Sequence, residues 1–412
     1  MNNPIAISLS PNTDKKDVQE AVRVMFSPWS WKDGSAIGKV ESWFKHEYAA
    51  GASVSFNSGR SALYALLKSF EIKEGDEVIL QAFTCVAVCD AILWCGVKPV
   101  FVDIDRTLNV DPTDLEKKIT SETRAIIVQH TFGIPAQIKE ISVIAKKHNL
   151  ILIEDCAHCL GAAVENRKLG TFGDAAFFSF GRDKIVSSVF GGLAIIKPNF
   201  KTEIKNLKKM HEDLSFPSYG WIFQQIVHPI FFSIILPLYP FIIGKVILFI
   251  LLKLHLLSKP VYKEEYTGGR PSVFPLKYPN ALAALLLYQL SKLKQINDKR
   301  VEIANRYYQS LKDITKINQL KPVFGAVYLR YPVITDKASN VILSAKKKKI
   351  VLGNWYHHVV DPAGVDYTSI GYKLGSCPRA ESVSRHIVNL PTYFRLTPND
   401  IERVISLLKK EI

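Results

Sequence analysis

The chain has little from which to build a disulfide framework. Its six cysteines, Cys85, Cys89, Cys95, Cys156, Cys159 and Cys377, all lie in apolar segments, and no secretory signal opens it. Buried thiols in a reduced, cytoplasmic compartment are expected from that usage. Cys156 and Cys159 form a Cys-x-x-Cys and Cys85 with Cys89 offers two more sulfurs, but Asp155 and His158 sit within that motif with another assignment. No metal is therefore expected. Like-charge runs are nearly missing too: Lys346 to Lys349 is the one such run, read as the solvated face of a helix. Acidic residues number 38 against 53 lysines and arginines, a net charge of +15 that suits anionic partners. No helix-turn-helix, zinc finger or aromatic–basic platform accompanies the excess. Phosphorylated ligands or acidic lipid headgroups are expected, and nucleic acid is not.

What is present is globular. Hydrophobic residues make up 48% and charged residues 22% of 412, enough for two domains with cores of their own. From Ser53 to Ile196 short apolar runs alternate with helical stretches. The pattern predicts βα units and a mostly parallel central sheet, flanked by helices. Strands are expected at Val78 to Leu80, Val100 to Val102, Ala125 to Val128, Ile151 to Ile153, Ala175 to Phe178 and Leu193 to Ile196. Tyr278 to Leu311 reads as one long helix, and a smaller α/β unit follows, closed by a helix from Thr397. The predicted division is thus a large domain over 1–277 and a connecting helix with a small domain over 278–412.

Two motifs carry chemistry. Ile151-Leu-Ile-Glu-Asp155 is an apolar strand ending in an aspartate, and Lys184 is a lone lysine in a turn flanked by serine and glycine. A pyridoxal-phosphate enzyme needs that pair: the lysine bonds the cofactor aldehyde, and the aspartate keeps the pyridine nitrogen protonated so that the ring accepts electrons. An aspartate after a strand is equally a helix N-cap, and Glu154 beside it alternates to the opposite face as the structural acid. Ser58-Gly59-Arg60-Ser61 precedes an apolar helix. Orphan N–H groups and the helix dipole suit an anion there, with Gly59 permitting the turn, Ser61 adding a hydroxyl and Arg60 a charge.

Ser58-Gly-Arg-Ser-Ala-Leu63, Gly75-Asp-Glu-Val78, Pro99-Val-Phe-Val-Asp-Ile-Asp105, Glu154-Asp-Cys-Ala-His158, Phe178-Ser-Phe180 with Lys184, and Asn389-Leu-Pro391 occur in that order. Together they resemble the DegT/DnrJ/StrS sugar aminotransferases, a branch of the fold-type I pyridoxal-phosphate enzymes. The resemblance implies amino transfer from glutamate to a keto-sugar, carried on a nucleotide diphosphate or a lipid, for a surface polysaccharide or glycolipid. It also implies a homodimer, a phosphate contact from Ser179 and a place near the ring hydroxyl for His158. In that group a lysine at position 184 marks transaminases, and dehydratase-like relatives carry histidine. A dehydratase or epimerase and a non-catalytic sensor or scaffold that keeps the fold stay as alternatives. Three positions depart from the pattern. Cys85 stands where an aromatic stacks on the ring, Phe190 replaces a glutamate, and the asparagine-tyrosine-arginine motif before the long helix is missing. His130, Trp355 and His357 are the candidates for contact with the sugar.

Trp221 to Leu257 interrupts the resemblance, whose soluble members have a short connection there. Ile222 to Gly244 holds no formal charge apart from His228 if protonated. Pro229, Pro237 and Pro240 are expected to break it into pieces of about 17 residues or fewer, too short for a simple span. Both flanks belong to one catalytic fold, so a single crossing is excluded. The reading is a monotopic hairpin resting on one leaflet at the inner face of the plasma membrane, with a subunit interface and a two-pass hairpin as the alternatives.

Overall fold

Strand residues rich in valine, isoleucine and phenylalanine alternate here with capped helices, and that alternation sets the topology. A computed structural model describes residues 4–8, 12–238 and 242–412. The chain begins with β1 (Ile5–Ala6), α1 (Lys15–Met25) and α2 (Ser35–Glu47). Then follow β2 (Ala52–Phe56), α3 (Gly59–Ser69), β3 (Glu77–Gln81), α4 (Val86–Leu93), β4 (Lys98–Val102), α5 (Pro112–Lys117), β5 (Thr123–Gln129), α6 (Ile138–Lys147) and β6 (Ile151–Asp155). A small hairpin, β7 (Ala163–Val164) with β8 (Arg167–Lys168), leads to β9 (Ala175–Ser179), β10 (Gly192–Ile196) and α7 (Lys201–Glu212).

The main sheet has the order β2-β10-β9-β6-β5-β3-β4. All neighbours are parallel except β10, which runs antiparallel to both β2 and β9. Its strands are buried on both faces, as the unbroken apolar runs predict. The six expected strands all form, one or two residues longer at the ends.

Next come α8 (Tyr219–Leu238), α9 (Ile242–Lys253), α10 (Asn280–Ser291) and α11 (Leu293–Leu311). The stretch read as a single helix from Tyr278 is thus two, parted at Lys292 (φ −101°, ψ 0°). The ammonium of Lys292 binds Asp14 at 2.8 Å and Asp17 at 3.0 Å, so contacts with the distant α1 override local helix propensity. The prolines give a second correction. Pro229 and Pro237 lie inside α8, which runs 20 residues through them; Pro240 falls outside the described residues. Each removes one N–H and crowds the carbonyl four residues back, at ~3 kcal/mol. Nine buried residues of α8, among them Trp221, Ile226, Phe232 and Ile235, offset that cost.

The remainder is built from β11 (Asn318–Gln319), β12 (Arg330–Ile334), α12 (Ala338–Lys347), β13 (Ile350–Val351), α13 (Pro378–His386), β14 (Ile387–Pro391) and α14 (Pro398–Glu411). β11, β12 and β14 form an antiparallel sheet. β1 pairs in parallel with β13, so the start of the chain belongs to this end of the molecule. Two seams fix the sheets to one another. Val327 and Leu329 donate to the carbonyls of Gly133 and Phe132 at 3.0 and 2.7 Å. Val86 and Asp361 N–H groups donate to Asp361 and Thr84 carbonyls, both at 2.8 Å.

Candidate active site

A cavity of about 300 Å³ opens where the C-terminal ends of β5, β6 and β9 meet the N-terminus of α3 and the β12 side of the small sheet. Such a place, outside the carboxyl ends of parallel strands, is where open α/β sheets bind ligands.

Lys184 and Asp155 both line it. Burial pushes the Lys184 amine below its ordinary value, with Asp155 opposing, which favours the uncharged nucleophile. Burial pushes the Asp155 carboxyl up, while an N–H from Ala157 at 2.9 Å and the charge of Lys184 favour its ionised form. The lysine loop is pinned from afar. Asn12 Nδ2 donates to the carbonyls of Lys184 (2.8 Å) and Ile185 (2.9 Å), and Asn12 Oδ1 accepts from Arg300 at 3.0 Å.

At the other end of the cavity, Ser58 caps α3, its hydroxyl accepting from the Ser61 N–H at 3.1 Å. The N–H groups of Gly59 and Arg60 find no acceptor among the described residues. These are orphan donors of a first helical turn, aimed where an anion fits. A Cβ at Gly59 would come within 2.9 Å of Ser179 Cβ, so only glycine lets that serine close on the turn. Ser179 lines the cavity; Ser61 does not, its hydroxyl being spent on Asn57 (2.9 Å) and Ser58 (2.8 Å). The Arg60 guanidinium lines the cavity but is paired with Glu265 and donates to the Pro260 carbonyl at 2.8 Å.

His158 lies beside the rings of Phe132 (5.9 Å) and Tyr356 (6.3 Å), nearly parallel to both, the two being 6.0 Å from each other. Burial holds its imidazole well below the ordinary value, so it is neutral. Its Nδ1 accepts from the Phe132 N–H at 3.3 Å, which leaves the proton on Nε2 as a donor.

The sugar candidates separate. Trp355 and Tyr356 line the cavity. His357 does not; its Nδ1 contacts Asp361 Oδ1 at 2.8 Å, and that carboxylate raises its pKa. His130 is fully buried away from the cavity. Its Nδ1 accepts from Ala136 at 3.2 Å and its Nε2 donates to Glu154 at 3.1 Å. Glu154 also takes the N–H groups of Gly170 (2.8 Å) and Gly173 (2.7 Å), the structural acid expected of it. His130, Cys156 and Cys159 lie close enough to share an ion, yet both ring nitrogens of His130 are already engaged.

Sequence reasoning missed Arg330. It is buried at the start of β12, lines the cavity, and its guanidinium carbon sits 3.5 Å from the centroid of the Trp355 ring. Among the described residues no carboxylate lies within ion-pair distance of it, although its charge is felt at Lys184. An arginine inside the apolar run Val327 to Ile334 was the available signal. Also missed was Arg182, which donates to Ser258 and lies 5.5 Å from the Phe190 ring.

The DegT/DnrJ/EryC1/StrS aminotransferase family model matches residues 11–212 and 250–409. The chain belongs to that family. It is therefore an aminotransferase by family, and several of its named relatives act in the synthesis of amino-sugars or polysaccharide. SpsC, a spore coat polysaccharide biosynthesis protein of Bacillus subtilis, is 27% identical over 97% of this chain and 95% of its own. The dTDP-3-amino-3,6-dideoxy-alpha-D-galactopyranose transaminase of Aneurinibacillus thermoaerophilus is 26% identical over 96% and 95%. Among solved structures, the PLP-form of Spr1654 from Streptococcus pneumoniae superposes with a TM-score of 0.75 at 20% identity, covering 100% of this chain and 99% of that one. The family model leaves 213–249 unmatched, and those residues include α8 and most of α9.

Proposed function

We propose that this aminotransferase holds pyridoxal 5′-phosphate in the cavity and transfers the amino group of glutamate to a keto-sugar. The sugar is carried on a diphosphate, nucleotide-linked or lipid-linked. The observation that carries the reading is the buried Lys184–Asp155 pair in one cavity with the open N–H groups of Gly59 and Arg60. The residues fit the cofactor at each end: first-turn donors and Ser179 for the phosphate, Asp155 for the pyridine nitrogen, His158 Nε2–H for the ring oxygen, Lys184 for the aldehyde. When bound, the cofactor supplies an aldehyde that takes up the donor's amino group and a ring that accepts the electrons released at its α-carbon.

The chain's residues do the rest. Lys184 Nζ, whose burial favours the uncharged amine, takes the proton from the donor's α-carbon and returns it one position along. Arg330 suits the donor's carboxylate, which is attached to the carbon that Lys184 deprotonates. Amino transfer then releases 2-oxoglutarate, and the keto-sugar exchanges its carbonyl oxygen for the amine in the second half. A homodimer and contact of 221–257 with the inner face of the plasma membrane complete the reading.

The test is the visible spectrum of the purified protein before and after glutamate. A band that moves on glutamate, with 2-oxoglutarate formed, is the expected result. Lys184→Ala should abolish the band, and an unchanged visible spectrum in that variant would sink the assignment.

A further inference from the structure

We propose that the α8–α9 hairpin is a docking device for an anionic lipid bilayer, rooted in the wall of the catalytic cavity. Eight of the sixteen large hydrophobic residues exposed among the described residues fall between Ile234 and Leu254. Ile242 is 79% exposed, Phe249 66% and Ile243 61%. α9 packs one stripe, Gly244, Ile247, Leu248 and Leu251, towards α8 and leaves the other eight of its 12 residues exposed, so most of an apolar helix stands in water. A soluble monomer does not leave such a patch uncovered.

Charge selects the occupant. From Leu214 to Lys263 there is no aspartate or glutamate, while Lys245, Lys253, Lys259 and Lys263 are present. Lys245 and Lys253 are exposed on α9 itself. A second copy of this chain would have to set these lysines against themselves, since a two-fold interface pairs a surface with itself. It brings no carboxylate from this segment to neutralise them. A layer of anionic headgroups does so, while the acyl boundary takes the isoleucines and phenylalanine. At 1.5 Å per residue α9 is about 18 Å long, short of the ~30 Å hydrocarbon core. The hairpin thus enters one leaflet and does not cross.

Its base belongs to the cavity. Ser258 Oγ donates to Gln225 Oε1 at 2.7 Å and accepts from Arg182, two residues before Lys184. Trp221 packs edge-on against Phe190, at 5.4 Å between centroids. Phe190, Arg182, Pro260 and Val261 all line the cavity. Pro260 follows exposed Leu254 by six residues, a reach of at most ~20 Å. The tip of the hairpin, at Ile242, lies the length of α9, about 18 Å, beyond Leu254, so docking there holds the cavity within ~40 Å of the headgroups. The meaning of this placement for amino transfer rests on the function proposed above; the docking does not.

The experiment is flotation of the purified full-length chain with phosphatidylglycerol–phosphatidylcholine vesicles and with phosphatidylcholine alone, alongside the double variant Ile243→Glu, Phe249→Glu. Both residues are solvent-exposed, so the variant should fold. The expected result is flotation of the wild type with anionic vesicles only, weakened by added salt. The variant should stay below while its visible band still moves on glutamate. A wild type that floats with neither vesicle, or equally with both, overturns the proposal. So does a wild type that stays below and whose oligomer falls apart in the variant, which would make this face a subunit contact. Flotation without any glutamate response in either protein would instead sink the proposed chemistry and leave the docking standing.

Discussion

Replacing Arg330 by methionine should cost activity and add stability. The side chain keeps its aliphatic stem but loses the guanidinium and, with it, the stacking on Trp355. A hydrogen bond to a charged group contributes roughly 1.5–3 kcal/mol, and a guanidinium offers a carboxylate two. Loss of about 3 kcal/mol predicts a fall of roughly 150-fold in kcat/KM for glutamate. The reverse half-reaction, with the amino-sugar as donor, has no α-carboxylate to lose and should change far less. Stability should move the other way. In the cofactor-free protein the cation is buried without a carboxylate at ion-pair distance, and burial pushes its pKa down. Removing it relieves a desolvation cost, so the melting temperature should rise, by stabilisation on the order of 1 kcal/mol. Single-turnover spectrophotometry with each donor, together with thermal unfolding, measures both. Equal losses for the two donors, or a lower melting temperature, would show that Arg330 only holds the fold.

Gly192→Ala should weaken pyridoxal phosphate binding by about tenfold or more, ~1.4 kcal/mol, read by titrating the visible band. A Cβ there would lie 2.3 Å from the Ser58 carbonyl oxygen and 2.4 Å from Gly59 N, backbone that cannot give way without moving the α3 N-terminus; unaltered affinity refutes this. Asp90 is buried near Glu265, and burial raises its carboxyl from 3.8 to about 9. The folded chain then binds more protons than the unfolded one between those values, so this group's contribution to stability falls as pH climbs from 3.8 to 9. Asp90→Asn should flatten that fall and raise the melting temperature at pH 8, and an unchanged slope in thermal unfolding from pH 5 to 9 would count against it.

Much of the molecule was legible because local chemistry and tertiary structure agree. β5, β6 and β9 are continuous apolar runs in sequence and are central strands in the fold. Lys184, Asp155 and Gly59 stand at or just beyond strand ends and at one helix terminus, and one cavity is lined by all three. What could not be read depends on partners far away in sequence. Arg60 appears free to meet a phosphate until Glu265, 205 residues on, claims its charge. His130 looked like a cleft residue because it follows a strand, but Glu154 and Ala136 saturate its ring. The turn after it instead presents Phe132 and Gly133 carbonyls that seat the strand leading to Arg330. Lys292 ends a helix that its neighbours favour because Asp14 and Asp17 wait some 275 residues earlier. Pro229 and Pro237 erred in the other direction, their cost offset by packing that no local rule displays.

Asn12 sets an order on how this protein is completed. It precedes its partners in the chain, yet its side chain bridges the loop of Lys184 to Arg300, and the neighbouring β1 waits for Ile350. Asn12 and β1 therefore stay without these partners until residues 300 and 350 have been made. α8 and α9, ending at Lys253, emerge well before residue 300 exists to close the site. Synthesis therefore completes the apolar α8–α9 hairpin before the loop of Lys184 can be pinned through Asn12 to Arg300.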